Sequence, residues 1–165
     1  VDESLTCDLD GALAAAGKVN EAVLRDLLAA PYFHDAPPKS TGRERFGDAY
    51  AGALYARAPG ADAVATAVEL TARSVADAVR RWAGDAGEVV ASGGGVHHPG
   101  LMASLARHLA PMPIRRFDTL FFDGDAKEAV AFALLGYLTL HGQPGNLPAA
   151  TGARGARVLG SITPP

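Results

Sequence analysis

The segment SGGGVHH, residues 92–98, combines three consecutive glycines with two histidines. Ordering a glycine costs more backbone entropy than ordering any other residue, so three in a row indicate a backbone that must stay bare. The apolar run Val89–Ala91 precedes them and a proline-led apolar segment follows, which predicts a strand, a turn and a helix N-terminus. This geometry lets a flat or anionic ligand, such as a nucleotide, contact the backbone near the positive end of a helix dipole. Close packing within a tight turn explains the same glycines, and both interpretations stand at this point.

The glycine turn does not match the sequence motifs of three well-known functional loops. No Lys-Ser/Thr pair follows the glycines, so the segment is not a Walker phosphate loop. The spacing is not GxGxxG, and Val90 occupies the place where a nucleophile elbow needs a glycine. A ligand at this turn would therefore contact the bare backbone rather than a known phosphate-loop or nucleophile motif, and close packing stays the alternative.

A second polar cluster lies in the loop segment PPKSTGRE, and its members are Lys39, Ser40, Thr41 and Arg43. The segment ends like a phosphate loop, but Pro37 and Pro38 have no N–H groups with which to hold a phosphate. The polar side chains would either bind an anion or order the loop through side-chain-to-backbone hydrogen bonds. The sequence does not favour one over the other.

The histidines do not form a metal site by their spacing. His97 and His98 are adjacent, so their side chains point apart, and neither HExxH nor a Cys/His zinc spacing occurs. His34, His108 and His141 are isolated along the chain, and we expect none of them to be catalytic. The sequence therefore predicts no metal site.

Glu128 is the most interesting carboxylate of the cluster DGDAKEA, residues 123–129. Asp123 and Asp125 suit the N-cap and first turn of the helix that follows. Glu128 lies about one turn into a helix that soon becomes wholly apolar. It is either stabilised at the surface by the helix dipole or directed into a cleft, and its spacing alone favours the surface.

Apolar periodicity predicts the elements that position these residues. Helices are predicted over 19–30, 48–57, 62–83, 99–110 and 125–141, and short strands over 88–92 and 113–117. The longest helix is expected to face the core through Val64, Val68, Thr71, Val75, Val79 and Trp82. Asn20 is the expected N-cap of the first helix, and Glu69 is placed away from the core. Residues 1–17 are predicted to be an irregular lead-in, 31–47 a long loop, and 142–165 a Gly/Pro-rich tail that wraps the body through Leu147, Val158, Leu159 and Ile162.

Composition excludes several classes of protein. The chain has 165 residues, of which 48% are hydrophobic, and a net charge of −3, which suits one domain with a core and argues against nucleic-acid or anionic-membrane binding. Cys7 is the only cysteine, so no internal disulfide can form. No apolar run approaches the ~18 residues of a membrane span, and the N-terminus does not resemble a signal peptide. We expect an α/β half-domain that borrows a sheet from elsewhere, because two strands are too few for an independent sheet. The sequence also lacks a starting methionine, which hints at a piece of something larger, although processing of the N-terminus would look the same.

Five stretches of the chain occur in the order of one known family: GALAAAGKVNEAVLRDLLAAPYF, PPKSTGRERFG, SGGGVHHPGLM, DGDAKEAVAFALLGYLTLHGQPGNLPAATGA and VLGSI. They cover roughly residues 8–163, and PPKSTGRE and GDAKEAxAFA are the most specific. Together they resemble the C-terminal half of anhydro-N-acetylmuramic acid kinase.

The resemblance implies a fold and an activity. The fold is the second, C-terminal lobe of the actin-like ATPase and sugar-kinase architecture, which is ribonuclease H-like and helix-rich, with an α/β sheet left incomplete in this chain. Residues 1–165 would form that single lobe. The implied activity uses MgATP and water to convert 1,6-anhydro-N-acetylmuramic acid to N-acetylmuramic acid 6-phosphate, in bacterial peptidoglycan recycling in the cytoplasm.

The resemblance also implies site residues. Gly93, Gly94 and Gly95 match the turn that lies against the adenosine of ATP, and His98 stands where the family usually has asparagine. Glu128 matches a sugar-binding carboxylate, against the surface interpretation that its spacing favoured. The phosphate loop and the general-base aspartate belong to the family's N-terminal half, so no catalytic residue and no metal ligand is expected here, and ATP and Mg would both need that half.

The chain alone is therefore expected to have no measurable kinase activity. Its expected partners are ATP, the sugar and the missing N-terminal lobe, and a homodimer is left open. The alternative is a non-catalytic nucleotide- or protein-binding module that retains the lobe without the chemistry. A piece of a larger kinase should expose apolar residues where the lobes meet, whereas a lobe that stands alone should be polar there.

Overall fold

The computed structural model describes residues 7–163. The chain forms two compact units, the first ending at Phe117 and the second beginning at Asp118. Residues 1–6 of the predicted lead-in and 164–165 of the predicted tail lie outside the described residues. Within 7–163, no helix is both long enough and apolar enough to span a membrane.

Helices dominate the first unit. Its elements are α1 (Ala12–Ala16), α2 (Glu21–Leu28), α3 (Pro31–His34), α4 (Arg43–Phe46), α5 (Asp48–Arg57), α6 (Ala61–Trp82), β1 (Val89–Ala91), α7 (Pro99–Leu109) and β2 (Ile114–Arg116). The predicted helices and strands of this unit are confirmed within two residues at either end. The predicted loop over 31–47 contains the one-turn helices α3 and α4.

The lead-in is not irregular throughout, because residues 12–16 form α1. The cause is Asp8, whose two carboxylate oxygens accept hydrogen bonds from the backbone N–H groups of Leu13 at 2.8 Å and Ala14 at 3.0 Å. Those donors have no partner inside the helix, so Asp8 satisfies the N-terminal end of α1.

The predicted N-cap of α2 is confirmed. The Asn20 side chain accepts a hydrogen bond from the backbone N–H of Val23 at 3.1 Å. Its own backbone N–H donates to the Thr66 hydroxyl of α6 at 3.0 Å. The cap thus ties the start of α2 to the middle of α6, where Thr66 is fully buried.

The core-facing side of α6 differs from the prediction. Val75 and Trp82, both expected to face the core, are 39% and 46% exposed, and Thr71 is exposed as well. The buried residues are smaller or polar: Ala63, Ala65, Thr66, Glu69, Leu70, Ala72 and Ala76. Ala72 and Ala76 let α7 approach closely, and Leu105 and Leu109 fill the space between the helices. The neighbouring helix, rather than the valine pattern, decides which side is covered.

The described strands form a two-stranded parallel sheet in which Val89, Val90 and Ala91 lie opposite Ile114, Arg115 and Arg116. Helix α7 makes the crossover between them, as a parallel pair requires. The result is a helix-rich α/β architecture with a small, incomplete sheet. Ligands of open α/β sheets bind beyond the carboxyl ends of the strands, and the glycine turn follows β1 at that end.

The second unit contains α8 (Lys127–Leu140) and α9 (Pro148–Thr151). The helix predicted over 125–141 is confirmed by α8, whereas α9 was not predicted. The tail folds back on α8, where the Thr139 hydroxyl donates to the carbonyl of Leu159.

The predicted packing of Leu147, Ile162 and Val158 is wrong, since these residues are 73%, 64% and 47% exposed. The tail is held instead by hydrogen bonds between the Asn146 side chain and the tail backbone. Its amide donates to the carbonyl of Gly155 at 3.1 Å and accepts from the backbone N–H of Arg157 at 2.7 Å.

Candidate functional site

The three glycines serve different purposes. Gly93 adopts φ 91° and ψ 176°, a conformation that residues with a side chain rarely reach. A Cβ atom at Gly93 or Gly94 would meet no other atom within 4 Å, so the backbone there faces open space. At Gly95 a Cβ atom would lie 3.3 Å from a methyl group of Leu101. Gly95 thus packs closely, as the tight-turn interpretation expects, whereas contact between a ligand and the open backbone of Gly93 and Gly94 stays a prediction.

His98 closes the turn as the N-cap of α7. Its Nδ1 accepts a hydrogen bond from the backbone N–H of Leu101 at 3.1 Å, and its Nε2 lies 3.1 Å from Oδ2 of Asp8. Because Nδ1 is the acceptor, the neutral ring carries its proton on Nε2 and donates it to Asp8. A Cβ atom at Gly11, where φ is +71°, would lie 2.8 Å from the ring, so glycine is required for this contact.

The pKa of Asp8 reflects these contacts. Burial by itself would raise it, but hydrogen bonds from Ala14, Leu13 and His98 hold it below its ordinary value. Asp8 therefore stays ionised at neutral pH and fixes the orientation of the His98 ring. Contact between this ring and a nucleotide remains a prediction.

We expect His98→Ala to lower the free energy of unfolding by about 1 kcal/mol, because the first turn of α7 loses its cap. His98→Asn should retain most of this stability, since its amide oxygen takes the place of Nδ1 and can accept the Leu101 N–H. Urea denaturation monitored by the fluorescence of Trp82, the only tryptophan, measures both. Equal losses in the two variants would contradict the capping role.

A buried carboxylate beside α7 was missed by the sequence reasoning. The side chain of Glu69 on α6 is only 7% exposed and accepts four hydrogen bonds. Oε1 accepts from Arg73 Nε at 2.8 Å and His108 Nε2 at 2.7 Å. Oε2 accepts from Ser104 Oγ at 2.6 Å and Arg107 Nη2 at 3.0 Å. We call these five residues the Glu69 cluster.

The Glu69 cluster holds the carboxylate ionised. Burial alone would raise the pKa of Glu69, but the hydrogen bonds from Ser104, His108 and Arg73 lower it from 4.5 to about 2. Arg73 also donates to the carboxylate of Glu21 on α2 at 2.9 Å, so the cluster joins α2, α6 and α7. It is thus a structural anchor for the helix that follows the glycine turn. The spacing of Ser104, Arg107 and His108, which puts them on one face of α7, is the signal that could have revealed it.

Two members of the polar cluster, Lys39 and Thr41, form hydrogen bonds within the loop over 31–47. Lys39 Nζ donates to the carbonyl of Tyr32 at 2.7 Å and lies 4.8 Å from the centre of its ring. The Thr41 hydroxyl and the Gly42 N–H both donate to Glu44, at 3.3 and 2.6 Å. Lys39 thus makes the side-chain-to-backbone hydrogen bond that loop ordering would use, whereas Thr41 bonds another side chain of the loop.

The other two members of the polar cluster stay open to solvent. Ser40 is exposed, and the Arg43 side chain is 89% exposed, 3.5 Å from Asp48. An anion would therefore have to be bound by Ser40 and Arg43 rather than by the whole cluster.

Glu128 lies in the first turn of α8, in the second unit, and is exposed. The Asp123 side chain accepts a hydrogen bond from the backbone N–H of Asp125 at 3.0 Å and so caps the short 3-10 turn Gly124–Ala126 that leads into α8. The exposed position suits either a surface carboxylate or one that awaits a ligand. Among residues 7–163, no group of three or more His, Cys, Asp or Glu side chains is placed to hold a metal ion.

Comparison with known proteins identifies relatives along the whole chain. The family model described as anhydro-N-acetylmuramic acid kinase matches residues 2–165. A protein of that name from Streptomyces avermitilis is 52% identical over 95% of this chain and 41% of its own length. Its namesakes from Rhodococcus erythropolis and Xylella fastidiosa are 50% and 47% identical, over 95% and 96% of this chain and 40% and 42% of their own lengths. The chain thus spans about two fifths of the curated relatives it matches.

Proposed function

Since this chain belongs to the anhydro-N-acetylmuramic acid kinase family, we propose that it forms the C-terminal lobe of a two-lobed sugar kinase with the actin-like architecture. The kinase would use MgATP and water to convert 1,6-anhydro-N-acetylmuramic acid to N-acetylmuramic acid 6-phosphate, in the cytoplasmic recycling of peptidoglycan. The main support is the match over residues 2–165, with 52% identity to the Streptomyces avermitilis kinase. The helix-rich fold with its incomplete parallel sheet agrees with such a lobe.

The glycine turn is the proposed contact for the adenosine of ATP. The open backbone at Gly93 and Gly94, at the carboxyl end of β1, is the single observation that supports this role most directly. A flat base or ribose can approach there as closely as van der Waals contact allows, because no Cβ atom intervenes. His98 would act by fixing the end of the turn, with its ring held by Asp8.

Glu128 is the proposed contact for the sugar. A carboxylate accepts hydrogen bonds from sugar hydroxyls, and the exposed position in the first turn of α8 leaves its oxygens accessible. The N-terminal end of the helix also stabilises its negative charge. Glu128 would thus orient the sugar without taking part in bond breaking.

The reaction needs groups that we assign to the N-terminal part of the longer protein. Water would attack the anomeric carbon while a general-base aspartate takes its proton, and the bond from that carbon to the 6-oxygen would break. The freed 6-oxygen would take the γ-phosphoryl group of ATP, with ADP as the leaving group. Magnesium and a phosphate loop would neutralise the charge that develops on the phosphates. This chain contributes binding and orientation, and we expect it to be inactive alone.

A product assay tests whether the reaction needs both this chain and the N-terminal part. The chain is incubated with MgATP and 1,6-anhydro-N-acetylmuramic acid, with and without the separately expressed N-terminal part of the Streptomyces avermitilis relative, and N-acetylmuramic acid 6-phosphate is sought by mass spectrometry. Product only in the mixture supports the proposal. Product from the chain alone would show that the chemistry does not need the N-terminal part. No product from either, with the intact relative active as a control, would favour a non-catalytic binding module.

We expect Gly94→Leu to raise the KM for MgATP at least tenfold in the two-part mixture, because the new side chain fills the space proposed for adenosine. A Cβ atom at Gly94 would meet nothing within 4 Å, so we expect the free energy of unfolding to change little. Gly87→Leu is the matched control, since its Cβ position is equally open and lies outside the turn. An unchanged KM in Gly94→Leu would exclude the turn as the adenosine contact.

A further inference from the structure

The imidazole ring of His98 is held in a narrow slot between two glycines. Its side chain is only 16% exposed, and that of Asp8 is 11% exposed. A Cβ atom at Gly11 would lie 2.8 Å from the ring, and one at Gly100 would lie 3.3 Å from it. The slot leaves the ring little freedom to turn, and the ring lies with Nδ1 toward the N–H of Leu101 and Nε2 toward Asp8.

The carboxylate of Asp8 stabilises this orientation of the ring. It accepts the Nε2–H of His98 at 3.1 Å, and hydrogen bonds to an ionised group are stronger than neutral ones. Without the carboxylate, a donor in a largely buried position would lose its acceptor, which costs more than an average hydrogen bond contributes. We expect the ring then to turn toward water, so that Nδ1 leaves the N–H of Leu101.

Contacts between the start of α7 and the glycine turn extend this constraint to the proposed adenosine contact. The backbone N–H of His98 donates to the carbonyl of Gly95 at 3.2 Å, and a methyl group of Leu101 would lie 3.3 Å from a Cβ atom at Gly95. The N–H of Val96 donates to the carbonyl of Gly93 at 3.0 Å and closes the turn. The path of the backbone from Gly93 to Gly95 therefore depends on how the His98 ring is held.

We propose that Asp8 is a positioning residue for ATP, an inference that rests on the proposed adenosine contact of the glycine turn. Asp8 does not touch the nucleotide; its carboxylate holds the His98 ring, and the ring holds the turn in the form that fits adenosine. A site that is correctly formed for only part of the time binds its ligand with an affinity reduced by that fraction. Saturating nucleotide restores the formed turn, so the effect belongs to the KM for MgATP rather than to kcat.

Steady-state kinetics of the two-part mixture test the proposal. We expect Asp8→Ala to raise the KM for MgATP about tenfold, the effect of one hydrogen bond to a charged group, with kcat and the KM for the sugar unchanged. Asp8→Asn should restore most of the affinity, because its amide oxygen still accepts the Nε2–H of His98. Asp10→Ala is the matched control, since Asp10 is exposed, lies in the same 3-10 turn and makes none of these contacts. An unchanged KM in Asp8→Ala, or an equal increase in Asp10→Ala, would overturn the proposal.

A double-mutant cycle shows whether Asp8 acts through the ring. In the His98→Ala background, Asp8→Ala should add no further increase in the KM for MgATP, because residues of one network are not additive. Asp8→Ala also removes the cap of α1, but a loss of folded protein lowers the apparent kcat and leaves KM unchanged. Full additivity of the two substitutions, or a fall in kcat alone, would overturn the proposal.

Amide hydrogen exchange of the chain alone separates this inference from the proposed function. Asp8→Ala should speed the exchange of the Leu101 N–H by about fivefold relative to that of Leu105, which lies one turn later on α7. Equal acceleration at both residues, or none at Leu101, would overturn the role of Asp8, whatever the kinase assay shows. Accelerated exchange at Leu101 beside a mixture that makes no product would support the hold of Asp8 on the ring and contradict the proposed function instead.

Discussion

Glu69→Gln is expected to lower the free energy of unfolding of the first unit by about 3 kcal/mol, the range in which breaking a buried ion pair falls. The amide cannot satisfy the four donors that surround the carboxylate. Whichever way it is turned, its NH2 group faces either Arg73 or Arg107, and neither guanidinium can accept a hydrogen bond. Urea denaturation at pH 7, monitored by Trp82 fluorescence, measures the loss.

Glu88→Gln is the control for this substitution. Its carboxylate is 41% exposed and lies 3.5 Å from Arg115, so we expect a change within about 0.5 kcal/mol, as for other exposed ion pairs. A similar effect from both variants would mean that the Glu69 cluster contributes no more than an ordinary surface pair.

The same carboxylate predicts a dependence of stability on pH. The pKa of Glu69 is about 2 in the folded protein, below its ordinary value of 4.5, so its contribution is fully present above about pH 5 and is lost as the pH falls toward 2. At 1.36 kcal/mol per unit, the loss is about 3 kcal/mol. The difference between wild type and Glu69→Gln should therefore shrink over this window, and a constant difference would contradict the linkage.

Gly17→Ala should destabilise the protein by about 2–3 kcal/mol, as overpacking does in cores. A Cβ atom at Gly17 would lie 2.1 Å from the carbonyl oxygen of Ala61, a backbone atom at the start of α6. Relief would require α1 and α6 to separate, which would also strain the hydrogen bond of 2.7 Å between the Lys18 N–H and Asp62. Thermal or urea unfolding gives the magnitude.

Gly52→Ala makes the same chemical change with the opposite expected sign. Gly52 lies inside α5, and a Cβ atom there would meet nothing within 4 Å. Alanine should stabilise the helix by up to about 1 kcal/mol, because it loses less backbone entropy on folding. If both variants destabilise equally, crowding at Gly17 is not the cause.

Local signals in the sequence were sufficient to predict the main helices and the two described strands. The Asn20 cap and the strand–glycine–proline order around β1 each depend on neighbours a few residues apart. Such signals fixed the limits of the main helices within two residues. The openness of Gly93 and Gly94 follows from the same strand-to-helix turn.

Distant partners explain what sequence reasoning missed. Glu69 looked like a surface residue because its partners Ser104 and His108 lie 35 and 39 positions away, on another helix. Asp8 capped an unexpected helix, and its bond to His98 spans 90 positions. Periodicity within one segment contains no information on such pairs, so a charged residue on a valine-rich helix is assigned to solvent by default.

The bond between Asp8 and His98 has a consequence for synthesis on the ribosome. A chain grows at about 5–20 residues per second, and 90 positions separate the two partners, so Asp8 leaves the ribosome roughly 5 to 20 seconds before His98. During that interval Asp8 can cap α1, but the His98 ring that bonds Asp8 to the start of α7 has not yet been synthesised. Translation speed between these two codons therefore sets how long Asp8 and α1 of the nascent chain lack their contact with the His98 ring.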